Sequence, residues 1–106
     1  DIIRQKVLPY IHQNLTESFT VSELAQNVSL NPQYMMRLFK KETNMSVLEY
    51  VTEQRILRAK ELLLSTDSSI ENIAVQLGYY NYTYFMKVFK RNMGMSPGQY
   101  RKQYGK

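Results

Sequence analysis

Cysteine and tryptophan are absent from this 106-residue chain, and histidine occurs once. Without thiols there are no disulfides, no thiol catalysis and no thiolate metal centre, which fits a reducing compartment. Only four glycines occur, and no Gly-rich phosphate loop is formed from them. No apolar run approaches the roughly 18 residues that a membrane span needs. The opening residues Asp1-Ile2-Ile3-Arg4-Gln5-Lys6 lack the apolar stretch of a signal peptide. A start at Asp1 rather than Met is consistent with excision from a longer protein. No nucleophile stands with a base, and His12 has no carboxylate or cysteine at ligand spacing, so it reads as a surface residue. The reading is a non-enzyme with no metal, no cofactor and no small-molecule site.

What remains is apolar and basic. Forty-three per cent apolar residues support a true core despite a mean hydropathy of −0.45. A chain of this length buries roughly 60–68% of its unfolded surface. Fourteen Lys and Arg against nine Asp and Glu give a net charge of +5, and the isoelectric point is near 9.5. That balance favours a polyanionic partner, although many basic domains use such charge only for solubility.

The chain also says nearly the same thing twice. Leu24-Ala25 returns as Ile73-Ala74, Tyr34 as Tyr84, Phe39-Lys40 as Phe89-Lys90, Met45-Ser46 as Met95-Ser96, and Tyr50 as Tyr100. The offset is 49 residues before a short turn and 50 after it. Each copy reads as a short helix, a tight turn and a second helix ending in a basic cluster. A duplicated helix-turn-helix on a basic chain points to duplex DNA, because two such units can read two successive turns of one groove.

Periodicity and capping residues predict seven helices and no strand. The first runs from about Ile2 to Asn14, with Ile3, Val7, Ile11 and Leu15 facing the core and Pro9 forcing a kink or a late start. Thr20 with Glu23 opens the second as a capping box, and Asn31-Pro32 opens the third, which ends near Thr43-Asn44. Ser46 with Glu49 opens a long fourth helix to about Leu64, roughly 28 Å at 1.5 Å per residue. Ser69 caps the fifth, Gly78 stops it, Asn81 caps the sixth, Gly94 ends it, and Ser96-Pro97 starts a seventh through Gln103. The expected layout is one all-α domain over residues 1–106. Its first helix-turn-helix unit covers 15–50, its connecting helix 46–65, and its second unit 66–106.

Met35, Leu38 and Phe39 form the core stripe of the third helix, which turns Gln33, Met36, Arg37 and Lys40 outward. In the sixth helix Phe85, Val88 and Phe89 face inward, leaving Thr83, Met86, Lys87 and Lys90 outside and Tyr82 at the first turn. Arg37 can take two acceptors of a guanine, Gln33 can pair with an adenine, and Met36 or Tyr82 can touch a thymine methyl. Lys40, Lys41, Lys90 and Arg91, near the helix ends, suit phosphate. A charged outer stripe on one helix is usually a solvated face, but repetition of Arg37 as Lys87 argues for a shared task. Tyr34 and Tyr84 read as half-buried packing residues, and Met45 and Met95 as core. Arg55 lies beside the apolar stripe of the fourth helix and reads as structural, its guanidinium bonded to a carboxylate or to helix-end carbonyls.

These residues resemble the AraC/XylS family DNA-binding domain. The likeness rests on Leu24-Ala25, Tyr34 through Phe39-Lys40-Lys41, Arg55-Ile56 with Ala59-Lys60-Glu61-Leu62-Leu63, and Ile73-Ala74 with Gly78-Tyr79. It continues through Tyr84-Phe85-Met86-Lys87-Val88-Phe89-Lys90, Gly94-Met95-Ser96-Pro97 and Tyr100-Arg101, and so covers essentially the whole chain. The resemblance implies seven helices, with the third and sixth entering adjacent major-groove segments on one side of the duplex. Carried over by position, base reading falls on Gln33, Met36, Arg37, Tyr82, Thr83 and Lys87. Met36 departs from the polar residue that family members often carry there. The Tyr- and Lys-rich style is similar to the output domain of a two-component response regulator.

The expectation is therefore a cytoplasmic, bacterial-type transcription regulator's domain that reads an asymmetric site, because the two outward faces differ. Phosphate contacts are expected from Asn31, Lys40, Lys41, Asn81, Lys90 and Arg91, with RNA polymerase as partner when the parent protein activates. The rival from another class is an all-helical protein-interaction module with a basic surface. RNA is disfavoured, because its major groove is too narrow for such helices.

Overall fold

Thr20, Asn31, Ser69, Asn81 and Ser96 each stand just before a helix and accept hydrogen bonds from first-turn N–H groups that have no partner inside the helix. The computed structural model describes residues 1–105, which are helical apart from turns and loops, with no strand among them. A π-helical segment, Ile3–Val7, leads into α1 (Leu8–Gln13), followed by α2 (Val21–Asn27), α3 (Pro32–Thr43) and α4 (Val47–Ser65). Then come α5 (Ile70–Gln76), α6 (Tyr82–Met93) and α7 (Pro97–Tyr104). Seven α-helices and an all-α architecture agree with the sequence, and the capping residues are those expected.

The chain forms two compact units, Asp1–Glu53 and Gln54–Lys106, and the division falls inside α4. In the first, Ile3, Val7 and Ile11 are buried together with Leu24, Met35 and Phe39, and α2 packs on α3. In the second, Ala59 and Leu63 of α4 join Ile73, Leu77, Phe85 and Phe89, with α5 packed on α6 and α6 on α7.

The first helix departs from expectation at its start. The leading turn is π-helical, with the Leu8 N–H donating to the Ile3 carbonyl five residues back. Pro9 follows at once. It has no N–H, and its ring would press on the carbonyl four residues earlier in a regular α-turn. A wider turn relieves that conflict. It also suits Ile3, Val7, Ile11 and Leu15, all at most 3% exposed. Their strict four-residue spacing overshoots a 3.6-residue turn, and the wider turn takes up the excess.

Both helix-turn-helix turns use the same pair of bonds. Ser29 N–H donates to Gln26 O at 3.1 Å and Leu30 N–H to Ala25 O at 2.9 Å. In the second unit Gly78 N–H donates to Val75 O at 3.1 Å and Tyr79 N–H to Ala74 O at 3.0 Å. This is the Schellman arrangement, which requires a left-handed residue just past the helix. Gly78 supplies it at φ 80°, whereas Ser29 is forced to φ 58°. The second turn then holds one residue more, Tyr80, which is 91% exposed. This insertion accounts for the change of offset from 49 to 50 between the repeats.

The left-handed requirement makes a stability test. Gly78→Ser should destabilise by about 1–2 kcal/mol, read as a lower urea midpoint. Ser29→Gly should stabilise by less, because glycine loses roughly 0.5–1 kcal/mol more backbone entropy on folding. A Gly78→Ser protein with an unchanged midpoint would show that the turn tolerates a side chain freely.

Candidate nucleic-acid interface

The orientation of α3 and α6 is set by what they bury. Met35 and Phe39 in α3, and Phe85 and Phe89 in α6, are 0% exposed. Phe39 meets Tyr50 edge-on, with ring centroids 5.6 Å apart and planes at 71°. Phe89 meets Tyr100 in the same way, at 5.8 Å and 72°. The repeat thus carries one aromatic clasp twice, joining the end of α3 or α6 to the helix that follows it. Such edge-to-face pairs contribute roughly 0.5–1.5 kcal/mol beyond the area they bury.

With that face buried, Gln33, Met36, Arg37 and Lys40 lie at i, i+3, i+4 and i+7 on α3, and all are exposed. Thr83, Met86, Lys87 and Lys90 hold the same spacing on α6, with Met86 partly covered and the others exposed. Tyr82, in the first turn of α6, is 40% exposed. Lys41 and Arg91 are exposed in the last turns of their helices. Each unit therefore gathers its expected residues on one accessible helix face: polar or aromatic groups at the start, cations at the end.

Asn31 and Asn81 have a structural task first. The Asn31 Oδ1 accepts from Gln33 N–H at 2.9 Å and Tyr34 N–H at 3.1 Å, and the Asn81 Oδ1 accepts from Tyr84 N–H at 3.0 Å. Any phosphate contact from these residues would come from the remaining amide donor. Tyr34 and Tyr84, expected to be half-buried, are about half exposed, at 49% and 52%.

Several contacts carry no clear sequence signal. The Arg55 guanidinium lies 5.5 Å from the centroid of the Tyr79 ring, so an aromatic residue in the α5–α6 turn is one of its partners. Burial holds this guanidinium below its ordinary pKa, with Tyr79 acting in the opposite sense. Arg101 serves carbonyls at the end of α4: its Nε donates to Leu63 O at 2.9 Å and its Nη2 donates to Thr66 O at 3.1 Å. That ties α7 to the C-terminal end of α4 and satisfies carbonyls the helix leaves open. His12 is exposed as expected, yet its Nε2 lies 2.7 Å from Tyr50 Oη. None of these partners sits at a helical repeat distance from the residue it meets, so spacing alone would not find them.

Among the described residues no group of three or more His, Cys, Asp or Glu side chains is placed to hold a metal ion. No helix there is long and apolar enough to cross a membrane.

Two capped helix-turn-helix units, each turning a polar-to-cationic face outward, define a double helix-turn-helix domain. Residues 24–103 match the family described as Helix-turn-helix domain. The chain belongs to the AraC/XylS helix-turn-helix family. It is 37% identical over 101 residues to the uncharacterized HTH-type transcriptional regulator YtdP of Bacillus subtilis (strain 168), covering 95% of this chain and 13% of that protein. It is also similar to the C-terminal domain of AraT, a response regulator from Geobacillus stearothermophilus. That likeness has a TM-score of 0.95 and 35% identity, over 99% of this chain and 87% of the other. A third likeness is to the DNA-binding domain of AdpA, a global transcriptional factor solved in complex with a target DNA. Here the TM-score is 0.88 and the identity 30%, over 92% and 88% of the two chains. The chain spans only a third or less of curated relatives such as YtdP and the melibiose operon regulatory protein of Escherichia coli (strain K12), at 13% and 32% of their lengths.

The caps that start α4 and α7 differ in one respect that can be tested. Glu49 closes the first and Gln99 the second. Glu49 is held below the usual glutamate range, first by the Ser46 backbone N–H, then by the Ser46 hydroxyl and by Lys40. A depressed carboxylate stabilises the fold above its unfolded pKa and loses that contribution as the pH falls through its folded one. The Ser46 amide resonance should therefore titrate with a midpoint below the ordinary glutamate value, while the Ser96 amide stays flat. Equal behaviour of the two amides would contradict the assigned cap.

Proposed function

We propose that this chain is the sequence-specific double-stranded DNA-binding domain of a bacterial-type transcription regulator. The observation that carries this reading is the duplication of one device: a capped helix, pinned by a Phe–Tyr clasp, whose outer face runs from hydrogen-bonding or aromatic groups to cations. Base edges need the former and phosphates the latter. Gln33, Met36 and Arg37 read bases from α3, and Tyr82, Thr83 and Lys87 read them from α6. Lys40, Lys41, Lys90 and Arg91 hold phosphate, with Asn31 and Asn81 at the helix starts.

The two helices take adjacent major-groove segments roughly one DNA turn apart, ~34 Å. Because their readers differ, the site is asymmetric. The likeness to the AraT C-terminal domain supports a place as the output half of a response regulator. On this reading the domain performs no chemistry, acts in the cytoplasm, and engages RNA polymerase where its parent protein activates.

A competition gel shift tests the proposal. A selected duplex should displace the protein from labelled probe far better than random duplex of equal length. Arg37→Ala should weaken binding to the preferred site by about 1–3 kcal/mol and relax choice at one base, whereas Lys41→Ala should weaken all sequences alike. Equal competition by selected and random duplex would favour a basic protein-interaction module instead.

A further inference from the structure

The two units are built to one plan, but they are charged differently. Asp1–Glu53 holds five Lys and Arg against six Asp and Glu, a net −1, while Gln54–Lys106 holds nine against three, a net +6. Part of this contrast lies at equivalent places beside the expected phosphate contacts. Phe39-Lys40-Lys41-Glu42 in the first unit becomes Phe89-Lys90-Arg91-Asn92 in the second, and Ser46 with Glu49 becomes Ser96 with Gln99. At both of these places a carboxylate of the first unit is an amide in the second.

The capping boxes show that the charge at position 49 is not needed for the cap. Ser46 N–H donates to Glu49 Oε1 at 2.8 Å, and Glu49 N–H donates to Ser46 Oγ at 3.0 Å. Ser96 N–H donates to Gln99 Oε1 at 2.9 Å, and Gln99 N–H donates to Ser96 Oγ at 3.1 Å. The amide forms the same reciprocal pair. What the carboxylate adds is an ion pair: Glu49 Oε1 lies 4.0 Å from Lys40 Nζ, both side chains being more than half exposed. A solvated pair of this kind contributes little to folding. Its consequence falls on the field that a phosphate meets, since sites within the roughly 8–10 Å screening length feel both charges.

Resting on the DNA-binding reading above, we propose that the two units grip the phosphate backbone unequally. The second unit, which has uncharged Gln99 where the first has Glu49, is the salt-sensitive anchor on any duplex. The first unit's hold is weakened by Glu49, which occupies Lys40. Non-specific affinity tracks the number of phosphates that Lys and Arg neutralise, each adding about 0.9 to the slope of log affinity against log salt. A lysine engaged by a carboxylate must surrender that partner before it counts. Binding of the full chain to random sequence is therefore carried mainly by the second unit, and the first holds chiefly where its base contacts are satisfied.

The test uses the full chain and fluorescence anisotropy on random duplex between 50 and 200 mM salt. Lys90→Gln should flatten the salt slope by about 0.9, so that its loss of affinity is roughly threefold greater at 50 mM than at 200 mM salt. Lys40→Gln should change the slope by less than half as much. In a Glu49→Gln background, which keeps the cap as Gln99 does, Lys40→Gln should cost the full increment. Glu49→Gln alone should steepen the slope and tighten binding. Equal slope changes for Lys40→Gln and Lys90→Gln, whatever stands at position 49, overturn the inference while leaving DNA binding intact. Failure of the wild-type chain to bind any duplex overturns both this inference and the reading on which it rests.

Discussion

One phenylalanine near the end of α3 and one near the end of α6, each buried edge-on against a tyrosine in the next helix, decide which way the rest of each helix faces. Phe39 with Tyr50, and Phe89 with Tyr100, meet at nearly the same distance and angle. Once that ring is inside, helical geometry leaves no freedom. Met35 or Phe85 must follow it inward, and the residues at i, i+3, i+4 and i+7 on the far side must meet solvent. The polar caps act on the same elements from the other end. Asn31 and Asn81 fix where each helix starts, so the face is set in register as well as in direction. The exposed polar groups and cations fall where they do because an aromatic ring is buried on the opposite face.

Most of this was legible in the chain. The repeat, the Ser, Thr and Asn caps, Asn44 and Gly94 as left-handed helix ends, and the buried stripes of α3 and α6 follow from spacing and side-chain chemistry alone. The features that escaped share a physical cause: they join residues with no periodic relation. Arg101 reaches 35 and 38 residues back to the end of α4. Arg55 of α4 meets Tyr79 in the turn between α5 and α6. His12 and Tyr50, 38 residues apart, meet through side chains that a helical stripe does not mark as partners. Ser29 escaped for another reason: serine gives no hint of positive φ, and only the glycine at the equivalent place in the second copy, Gly78, reveals the need. The π-helical opening arises from a proline whose general effect is foreseeable but whose accommodation depends on where the neighbouring core residues must point.

Duplication supplies an internal control that a single unit would lack. Where the copies agree, as in the clasps, the Schellman turns and the reciprocal serine caps, the shared feature is what the architecture needs. Where they differ, as in Glu42 against Asn92, Glu49 against Gln99, and Arg37 against Lys87, the difference is free to serve binding. Two copies of one scaffold can then carry different exposed side chains and different charge, and on the proposed reading that suits an asymmetric target.

Selection of bound duplexes from a random pool tests the central claim most directly. Enrichment of two unlike blocks of bases is expected, with centres about one helical turn, roughly 10–10.5 base pairs, apart, one block losing definition in an Arg37→Ala protein. A pool that remains unenriched, or that converges on two identical half-sites, would contradict it.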